Sequence, residues 1–133
     1  MALLGHLSLG VGDLAQVTRF YDRVLNPLGY VRVWTSERGV GYAEKPDGGE
    51  KLTLFAKPDD ARPPGPGFHL AFDAPSRAAV DAFHSAALAE GATDAGAPGP
   101  RPRYSATYYA AFVVDLDGHK LEAVHQVRRD RVE

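Results

Sequence analysis

Two hydrophobic periods follow each other near the start of the chain. From residue 6 to 11, apolar residues alternate with polar or small ones, which is the period of a half-buried β-strand. From residue 14 to 25, apolar residues recur every three to four positions, which predicts an amphipathic helix. Asp13 is its predicted N-cap, and Pro27 and Gly29 predict its end.

The same succession of periods returns 63 residues later. His69 aligns with His6, and Ser76 aligns with the N-cap Asp13. Apolar positions coincide as well: Leu7 with Leu70, Leu9 with Phe72, Val17 with Val80, Phe20 with Phe83, and Leu25 with Leu88. Self-similarity at a fixed shift predicts two copies of one structural unit. The second helix is expected to end near Gly91, after packing its apolar stripe on a sheet.

Short strand-like segments follow each predicted helix. They cover residues 30–35, 39–44 and 51–56 in the first copy, and 107–115 and 119–125 in the second. A Gly- and Pro-rich stretch at 96–105 replaces part of a strand in the second copy, and we expect it to be a loop. Loops beside sheets commonly contact substrates. The predicted order is β-α-β-β-β, twice.

A chain of 133 residues matches one ordinary domain. We predict a single α+β domain over 1–133, with module one at about 3–57 and module two at about 67–126. Residues 58–66 are rich in Pro and Gly and form the predicted linker. Residues 127–133 form a predicted solvated tail, because Asp130 interrupts its three arginines and Glu133 follows them; a phosphate or substrate contact is the alternative.

Composition narrows the possible functions. The absence of cysteine excludes disulfides and thiolate metal sites, so any metal is held by nitrogen and oxygen. A net charge of −2 without a basic stripe argues against a nucleic-acid partner. No run approaches the roughly 18 apolar residues of a membrane span, and the first residues lack the basic start of a signal peptide. We therefore expect a cytoplasmic protein.

The repeat also identifies candidate metal ligands. Aligning the last strands of the two copies places Glu122 over Thr53. In a two-copy chain, the first and last strands of each copy supply four inward-facing positions, here His6, Thr53, His69 and Glu122. Two histidines and a carboxylate form a set that binds divalent ions and leaves coordination positions open for substrate oxygens. Each histidine alone would be interpreted as a packed or surface residue; their equivalence in two copies favours the metal.

The segment DLDGHKLEAVHQ, residues 115–126, resembles a compact metal site but is not predicted to be one. Strand alternation places Glu122 on one face and His125 on the other, and His119 also has the opposite parity. We expect both histidines, and His84 on the second helix, to be packing or surface residues.

The strand at His6, the second histidine His69 and above all the ending DLDGHKLEAVH resemble the vicinal oxygen chelate superfamily. This superfamily includes glyoxalase I, fosfomycin-resistance enzymes, bleomycin-resistance proteins and extradiol dioxygenases. The resemblance extends to about residue 126, and the chain looks most like small glyoxalase-like bacterial members. It implies paired βαβββ modules forming an open cup-shaped mixed sheet with helices on the outer face. It also implies a homodimer, in which sites can be completed across subunits, and His6, His69 and Glu122 as metal ligands.

The chain differs from the individual subfamilies in its residues and its length, and these differences narrow the activities that the resemblance implies. Thr53 stands where glyoxalase I has an acidic ligand, which argues against glyoxalase I activity itself. Extradiol dioxygenases are typically longer, and bleomycin-resistance proteins lack the triad. Fosfomycin-resistance enzymes fit the size and the ligand set, and Arg103 and Arg131 are the candidates for their phosphonate-binding residues.

We therefore predict a glyoxalase-like, metal-dependent enzyme that binds a small oxygen-rich molecule through two of its oxygens. The ion would be Fe, Mn, Ni, Co or Zn, and the chemistry that of a lyase, a fosfomycin-type transferase or a dioxygenase. The alternative is a metal-free protein that binds or sequesters a small molecule, as bleomycin-resistance proteins do, and a third possibility is an interaction module.

Several further residues are candidates for the substrate pocket, with a core role as the alternative for the aromatic ones. They are Thr53, Trp34, Tyr42, Arg103, Tyr104, Tyr108 and Tyr109. Strand alternation allows only one of the adjacent tyrosines to face the cup. Tyr109 is favoured because it shares parity with Ala111 and Val113.

Overall fold

The computed structural model describes residues 3–127, so most of the predicted arginine-rich tail lies outside the described residues. The first module contains β1 (Leu7–Val11), α1 (Leu14–Leu25), β2 (Val31–Thr35), β3 (Gly39–Ala43) and β4 (Leu52–Ala56). The second contains β5 (Leu70–Asp73), α2 (Arg77–Ala89), β6 (Thr93–Pro100), β7 (Tyr109–Val114) and β8 (Lys120–His125). The predicted order β-α-β-β-β, twice, is confirmed.

Each module forms a mixed four-stranded sheet. The strand orders are β1-β4-β3-β2 and β5-β8-β7-β6. In each sheet the first and last strands of the module lie parallel and adjacent, and the remaining pairs are antiparallel. The registers are equivalent, because Ser8 pairs with Thr53 in the first sheet and Ala71 pairs with Glu122 in the second.

The helix boundaries follow the predicted capping residues. Asp13 Oδ1 accepts a hydrogen bond of 3.1 Å from Gln16 N, and Ser76 Oγ accepts one of 3.0 Å from Ala79 N. Each cap satisfies a backbone N–H that the helix leaves free and contributes about 1 kcal/mol. Gly91 follows the second helix with φ of 100°, a conformation that glycine adopts without strain.

The helices and the two sheets share one hydrophobic core. It includes Phe20 of α1, Phe83 of α2, Leu54 of β4 and Leu121 of β8, each at most 1% exposed. Leu88, predicted to belong to the buried stripe of the second helix, is instead 39% exposed. Ala87 takes the buried position, and the 100° turn to the next residue directs Leu88 away from the core.

The turn between β7 and β8 fastens the second module to the first. Asp115 Oδ1 accepts hydrogen bonds from the backbone N–H groups of Asp117 (2.9 Å) and His119 (2.8 Å) and so shapes the turn. The turn reaches the first module twice: Asp117 Oδ1 accepts a bond of 3.0 Å from Gly12 N, and Asp115 Oδ2 accepts one from the hydroxyl of Tyr21. These bonds connect residues more than ninety positions apart.

The two histidines of this hairpin have structural partners. His119 is 1% exposed, and its Nε2 lies 3.1 Å from Gly10 O, to which it donates. His125 Nδ1 lies 3.0 Å from Ala74 O. His84 of α2 is buried as well, with its Nε2 3.0 Å from Asp94 Oδ1. These contacts agree with the packing roles predicted for all three.

The Gly- and Pro-rich stretch of the second module is only partly a loop. The sequence predicted a loop over 96–105, but residues 96–100 belong to β6, at the edge of the second sheet. An edge strand is bonded on one side only, so it accommodates proline, and its pairing with β7 shifts register twice. Within residues 3–127, no helix is both long and apolar enough to cross a membrane.

Candidate functional site

Glu122 is a buried carboxylate on the face of the second sheet that points away from the core. Its neighbours along β8, Leu121 and Ala123, both lie in the hydrophobic core, so strand alternation directs Glu122 to the other face. Phe112 of β7 and Ala71 of β5 flank it in register. Glu122 is only 2% exposed, and burying a carboxylate is costly unless each oxygen has a partner.

Both carboxylate oxygens of Glu122 are occupied. His69 Nε2 lies 3.0 Å from Oε1, and the hydroxyl of Tyr108 donates to Oε2. Burial and the hydrogen bond to Glu122 raise the pKa of the Tyr108 hydroxyl above its ordinary value, so the phenol remains a proton donor at neutral pH. His69 keeps 44% of its side chain exposed, which leaves this imidazole accessible from solvent.

The His69–Glu122 pair opens into a cavity of about 600 Å³, which we call the second-module cavity. It is lined by His69, Ala95, Gly96, Pro100, Arg101, Pro102, Arg103, Tyr104, Phe112, Lys120 and Glu122. The predicted pocket residues Arg103 and Tyr104 are among them. With three permanent cations and one carboxylate, the lining favours an anionic, oxygen-bearing occupant.

Two of these cations are held over the same aromatic ring. Arg101 donates to Ala97 O and Gly99 O, each at 2.8 Å, and its guanidinium carbon lies 5.6 Å from the ring centre of Phe112. Lys120 Nζ lies 5.2 Å from the same centre. Backbone acceptors and a cation–π contact orient Arg101, and a cation–π contact orients Lys120, at the wall of the cavity.

Sequence reasoning did not select Arg101, Phe112 or Lys120 as pocket residues. A signal existed for Lys120, which shares strand parity with Glu122. Phe112 pairs directly with Glu122 in the β7–β8 ladder, a register that the sequence does not show.

The preference for Tyr109 over Tyr108 was wrong. The hydroxyl of Tyr109 donates to Asp81 Oδ1 of α2 at 2.7 Å, and the Arg77 guanidinium lies 4.8 Å from its ring centre. Tyr109 does share parity with Ala111, as predicted, but that face of β7 packs on the helix. Tyr108, one residue earlier, contacts Glu122 instead.

Tyr42 does not line the second-module cavity. It is 2% exposed on the helix-facing side of β3, where its hydroxyl donates to Asp22 Oδ1 at 2.8 Å and lies 3.2 Å from Thr18 O. Asp22 is on α1, and the tyrosine therefore connects sheet and helix. Burial and the bond to Asp22 raise the pKa of this hydroxyl above its ordinary value.

Thr53 and Trp34 lie on the opposite face of the first sheet, where they surround a carboxylate. Trp34 Nε1 donates to Glu50 Oε1 at 2.9 Å, and the Thr53 hydroxyl donates to Glu50 Oε2. Glu50 precedes β4 and was not selected from the sequence, because it lies outside the strand alternation that identified Thr53.

The predicted metal ligands are brought together only in part. His69 and Glu122 are in contact, whereas His6 is an exposed residue directly before β1. Within residues 3–127 of a single chain, no group of three His, Asp or Glu side chains is arranged to hold an ion. An imidazole nitrogen and a carboxylate oxygen 3.0 Å apart are suitable donors for a divalent ion, and a third donor must come from elsewhere.

The described residues thus form two βαβββ modules, and a histidine–carboxylate pair lies beside a cavity of the second module. Comparison with known families agrees with this description. The model of the Glyoxalase/Bleomycin resistance protein/Dioxygenase superfamily matches residues 3–123, and the chain belongs to this superfamily. A search of curated proteins found no match.

Solved structures with the same fold include a glyoxalase/bleomycin resistance protein from Albidiferax ferrireducens T118. It is 31% identical, with a TM-score of 0.81, and the alignment covers 95% of this chain and 100% of that one. A glyoxalase-related enzyme from Fulvimarina pelagi is 20% identical, with a TM-score of 0.72 and coverage of 95% and 89%. The genomically encoded fosfomycin resistance protein from Listeria monocytogenes is 18% identical, with a TM-score of 0.69 and coverage of 96% and 95%. The last two likenesses show the fold alone.

Proposed function

We propose that this protein is a metal-dependent enzyme acting on a small, oxygen-rich anion, with His69 and Glu122 as two of its metal ligands. The observation that carries the proposal is the contact between His69 Nε2 and the buried Glu122 carboxylate at the edge of the second-module cavity. A divalent ion there (Fe, Mn, Ni, Co or Zn) would bind two substrate oxygens and act as a Lewis acid toward developing negative charge.

The third ligand in this proposal is His6, supplied by a second copy of the chain. His6 and His69 precede equivalent strands, yet the described part of one chain does not join them into a single group. Members of the superfamily commonly form dimers that complete their sites across subunits, so we propose a homodimer. The cytoplasmic location expected from the sequence belongs to the same proposal.

The surrounding residues have separate roles in this site. Tyr108 holds the Glu122 carboxylate in one orientation through its hydroxyl. Arg101, Arg103 and Lys120 line the cavity and would attract and orient the anion. His69 must lose its Nε2 proton before that nitrogen can bind an ion, because only the neutral imidazole coordinates. Lyase, fosfomycin-type transferase and dioxygenase chemistry all fit this arrangement, whereas Thr53 argues against glyoxalase I activity.

Metal analysis tests the proposal. Protein treated with a chelator is incubated separately with Fe²⁺, Mn²⁺, Ni²⁺, Co²⁺ and Zn²⁺, desalted, and analysed for bound metal. We expect the wild type to retain at least one of these ions, and His6→Ala, His69→Ala and Glu122→Ala to lose it. His84→Ala is the matched control, because His84 of α2 is bonded to Asp94 of β6 and does not line the second-module cavity, so its loss should not affect the ion. A wild type that retains none of the five ions contradicts the proposal.

One observation favours a second candidate, a metal-free binding protein. Arg101, Arg103 and Lys120 line the second-module cavity, and three cations can attract an anion by charge alone. For such a protein, binding of a small dianion such as oxalate would be unchanged by chelator and by Glu122→Gln. For the metal enzyme, both treatments should abolish binding.

A further inference from the structure

The three cations that line the second-module cavity differ in how many of their donors are free for a ligand. Arg101 is the most restrained. Besides its bonds to Ala97 O and Gly99 O, its Nη1 lies 3.4 Å from Pro100 O. Both terminal nitrogens of this guanidinium are therefore engaged with carbonyl groups of β6, while its carbon lies over the ring of Phe112.

The course of β6 leaves room for the Arg101 side chain. The pairing of β6 with β7 shifts register on both sides of Gly96. A Cβ atom on Gly96 would lie 3.3 Å from Arg101 Nη2, and one on Gly99 would lie 3.3 Å from Arg101 Nη1. Both distances are shorter than an ordinary contact, so the guanidinium fills a space that depends on the two glycines. Arg101 adds its charge to the cavity, but its hydrogen bonds hold the cavity wall.

Lys120 and Arg103 keep their donors available. Among residues 3–127, no group forms a hydrogen bond or an ion pair with the Lys120 ammonium, which is held only over the Phe112 ring. In the same part of the chain, the Arg103 guanidinium has one long hydrogen bond, 3.4 Å from its Nη2 to the hydroxyl of the adjacent Tyr104. An anion in the cavity therefore finds free donors at these two side chains.

These two side chains reach the cavity from different elements. Lys120 precedes Glu122 by two residues on the same face of β8, a separation of about 7 Å along a strand. Arg103 belongs to the connection between β6 and β7. The ring centre of its neighbour Tyr104 lies 5.0 Å from that of Tyr108, whose hydroxyl is bonded to Glu122. One free cation thus lies on the sheet and the other on the connection beside it.

We propose that the ligand of the second-module cavity is a small dianion with its charges on two separate groups, the first held by Lys120 and the second by Arg103. This rests on the proposed function, in which the first group supplies the oxygens near His69 and Glu122. Apart from that pair and the three cations, the lining is uncharged, so an uncharged chain joins the two groups. Because a guanidinium pairs with a carboxylate through two parallel bonds, a dicarboxylate is the simplest such ligand. Arg101 is a positioning residue.

Binding of matched acids tests the requirement for two groups. Calorimetry at constant ionic strength compares glutarate with valerate, and succinate with butyrate. The acids of each pair have equal chain length and differ in the second carboxylate. The measurements are made with each of the five ions and again after treatment with a chelator. We expect the wild type to bind each dianion about tenfold or more tightly than its matched monoanion, the effect of one further charge-assisted contact.

Three variants assign the second group to one of the cations. Arg103→Gln should abolish the preference for the dianion and keep the wild-type affinity for valerate, which also shows that this variant folds. Lys120→Gln should weaken both acids of a pair equally. Arg101→Lys keeps the charge but lacks the planar fork, so it should weaken both acids and leave the preference unchanged. Arg62→Gln is the matched control, an exposed arginine of the linker.

Trypsin provides a second readout, on the wild type alone. Pro102 prevents cleavage after Arg101, so the bond between Arg103 and Tyr104 is the one tryptic bond within residues 101–108. The bond after Arg38, directly before β3, is the internal reference. Glutarate should slow cleavage after Arg103 relative to cleavage after Arg38, whereas valerate at the same concentration should not.

The outcomes separate the two-group ligand from the proposed function. If the wild type retains an ion but binds both acids of each pair equally, or if Arg103→Gln keeps the preference, only the two-group ligand is contradicted. If the preference persists after chelation and no ion is retained, the two-group ligand is supported and the metal dependence fails. If no dianion binds under any condition, the two-group ligand and the anionic substrate of the proposed function fail together.

Discussion

Tyr108 donates its hydroxyl proton to Oε2 of Glu122, the one buried carboxylate that lines the second-module cavity. The bond joins the residue directly before β7 to the middle of β8, and Oε1 of the same carboxylate contacts His69. Because a buried carboxylate without partners is costly, this bond supports both stability and the orientation of the proposed metal ligand.

Tyr108→Phe removes that donor and should lower the free energy of unfolding by about 1–3 kcal/mol, the usual effect of leaving a buried polar group short of one partner. Urea unfolding followed by circular dichroism measures it. Tyr109→Phe is the control, because Tyr109 donates to Asp81 at the surface of α2, and its effect should be smaller. Equal effects for the two variants would contradict the assignment of Tyr108 to the site.

The bond between Tyr21 and Asp115 is predicted to hold the two modules together. Tyr21 is fully buried, and its hydroxyl is the partner of Asp115 Oδ2. Tyr21→Phe should therefore lower the free energy of unfolding by about 1–3 kcal/mol with no change in Zn²⁺ affinity. Denaturant unfolding and metal titration of the same sample test both statements. A variant as stable as wild type would show that the turn does not depend on this bond.

Asp117 should make the stability of the fold depend on pH. Burial raises the pKa of its carboxyl from the ordinary value of 3.8, and the nearby Asp115 raises it further, against a lowering by the bond from Gly12 N. The folded state therefore binds the proton more tightly than the unfolded state. The resulting stabilisation is present below pH 3.8 and is lost as the pH rises through the raised pKa.

Asp117→Asn removes this titration while keeping an oxygen that can accept from Gly12 N. The quantity to follow is the free energy of unfolding of the wild type minus that of the variant. This difference should fall as the pH rises from below 3.8, and should then become constant. Unfolding curves collected at closely spaced acidic pH values give the difference. A difference that rises with pH over this range would mean that the pKa of Asp117 is lowered by folding.

Lys120 should contribute to binding of an anion in the second-module cavity. With the proposed ion present, Lys120→Gln is expected to weaken binding of oxalate by about tenfold, the effect of losing one charge-assisted contact of about 1.5 kcal/mol. Lys45→Gln is the control, an exposed lysine in the turn after β3. Calorimetry at constant ionic strength measures the oxalate affinity of both variants. An affinity of Lys120→Gln equal to that of the wild type would show that Lys120 does not bind the anion.

The fold could be predicted from the sequence because its features are local or repeated. The N-caps Asp13 and Ser76 need only a few neighbouring residues, and the 63-residue shift between His6 and His69 shows the two modules directly. The orientation of Glu122 followed from alternation within one strand, since Leu121 and Ala123 belong to the core.

The site was less predictable, because it depends on pairings between distant elements. Alternation separates Tyr108 from Tyr109 but does not say which face of β7 meets α2, since Ala111 and Val113 suit either environment. Glu50 was missed for another reason. It precedes its strand and folds back over Thr53, and the bond from Trp34 that holds it there depends on how β2, β3 and β4 align.

A crystal structure of the protein with Zn²⁺, with anomalous scattering recorded at the zinc edge, tests the proposed ion site most directly. We expect a peak about 2.0–2.2 Å from both His69 Nε2 and a carboxylate oxygen of Glu122, with His6 of a second copy as a further ligand. An intact His69–Glu122 hydrogen bond at 3.0 Å, with no peak beside it at saturating Zn²⁺, would contradict it.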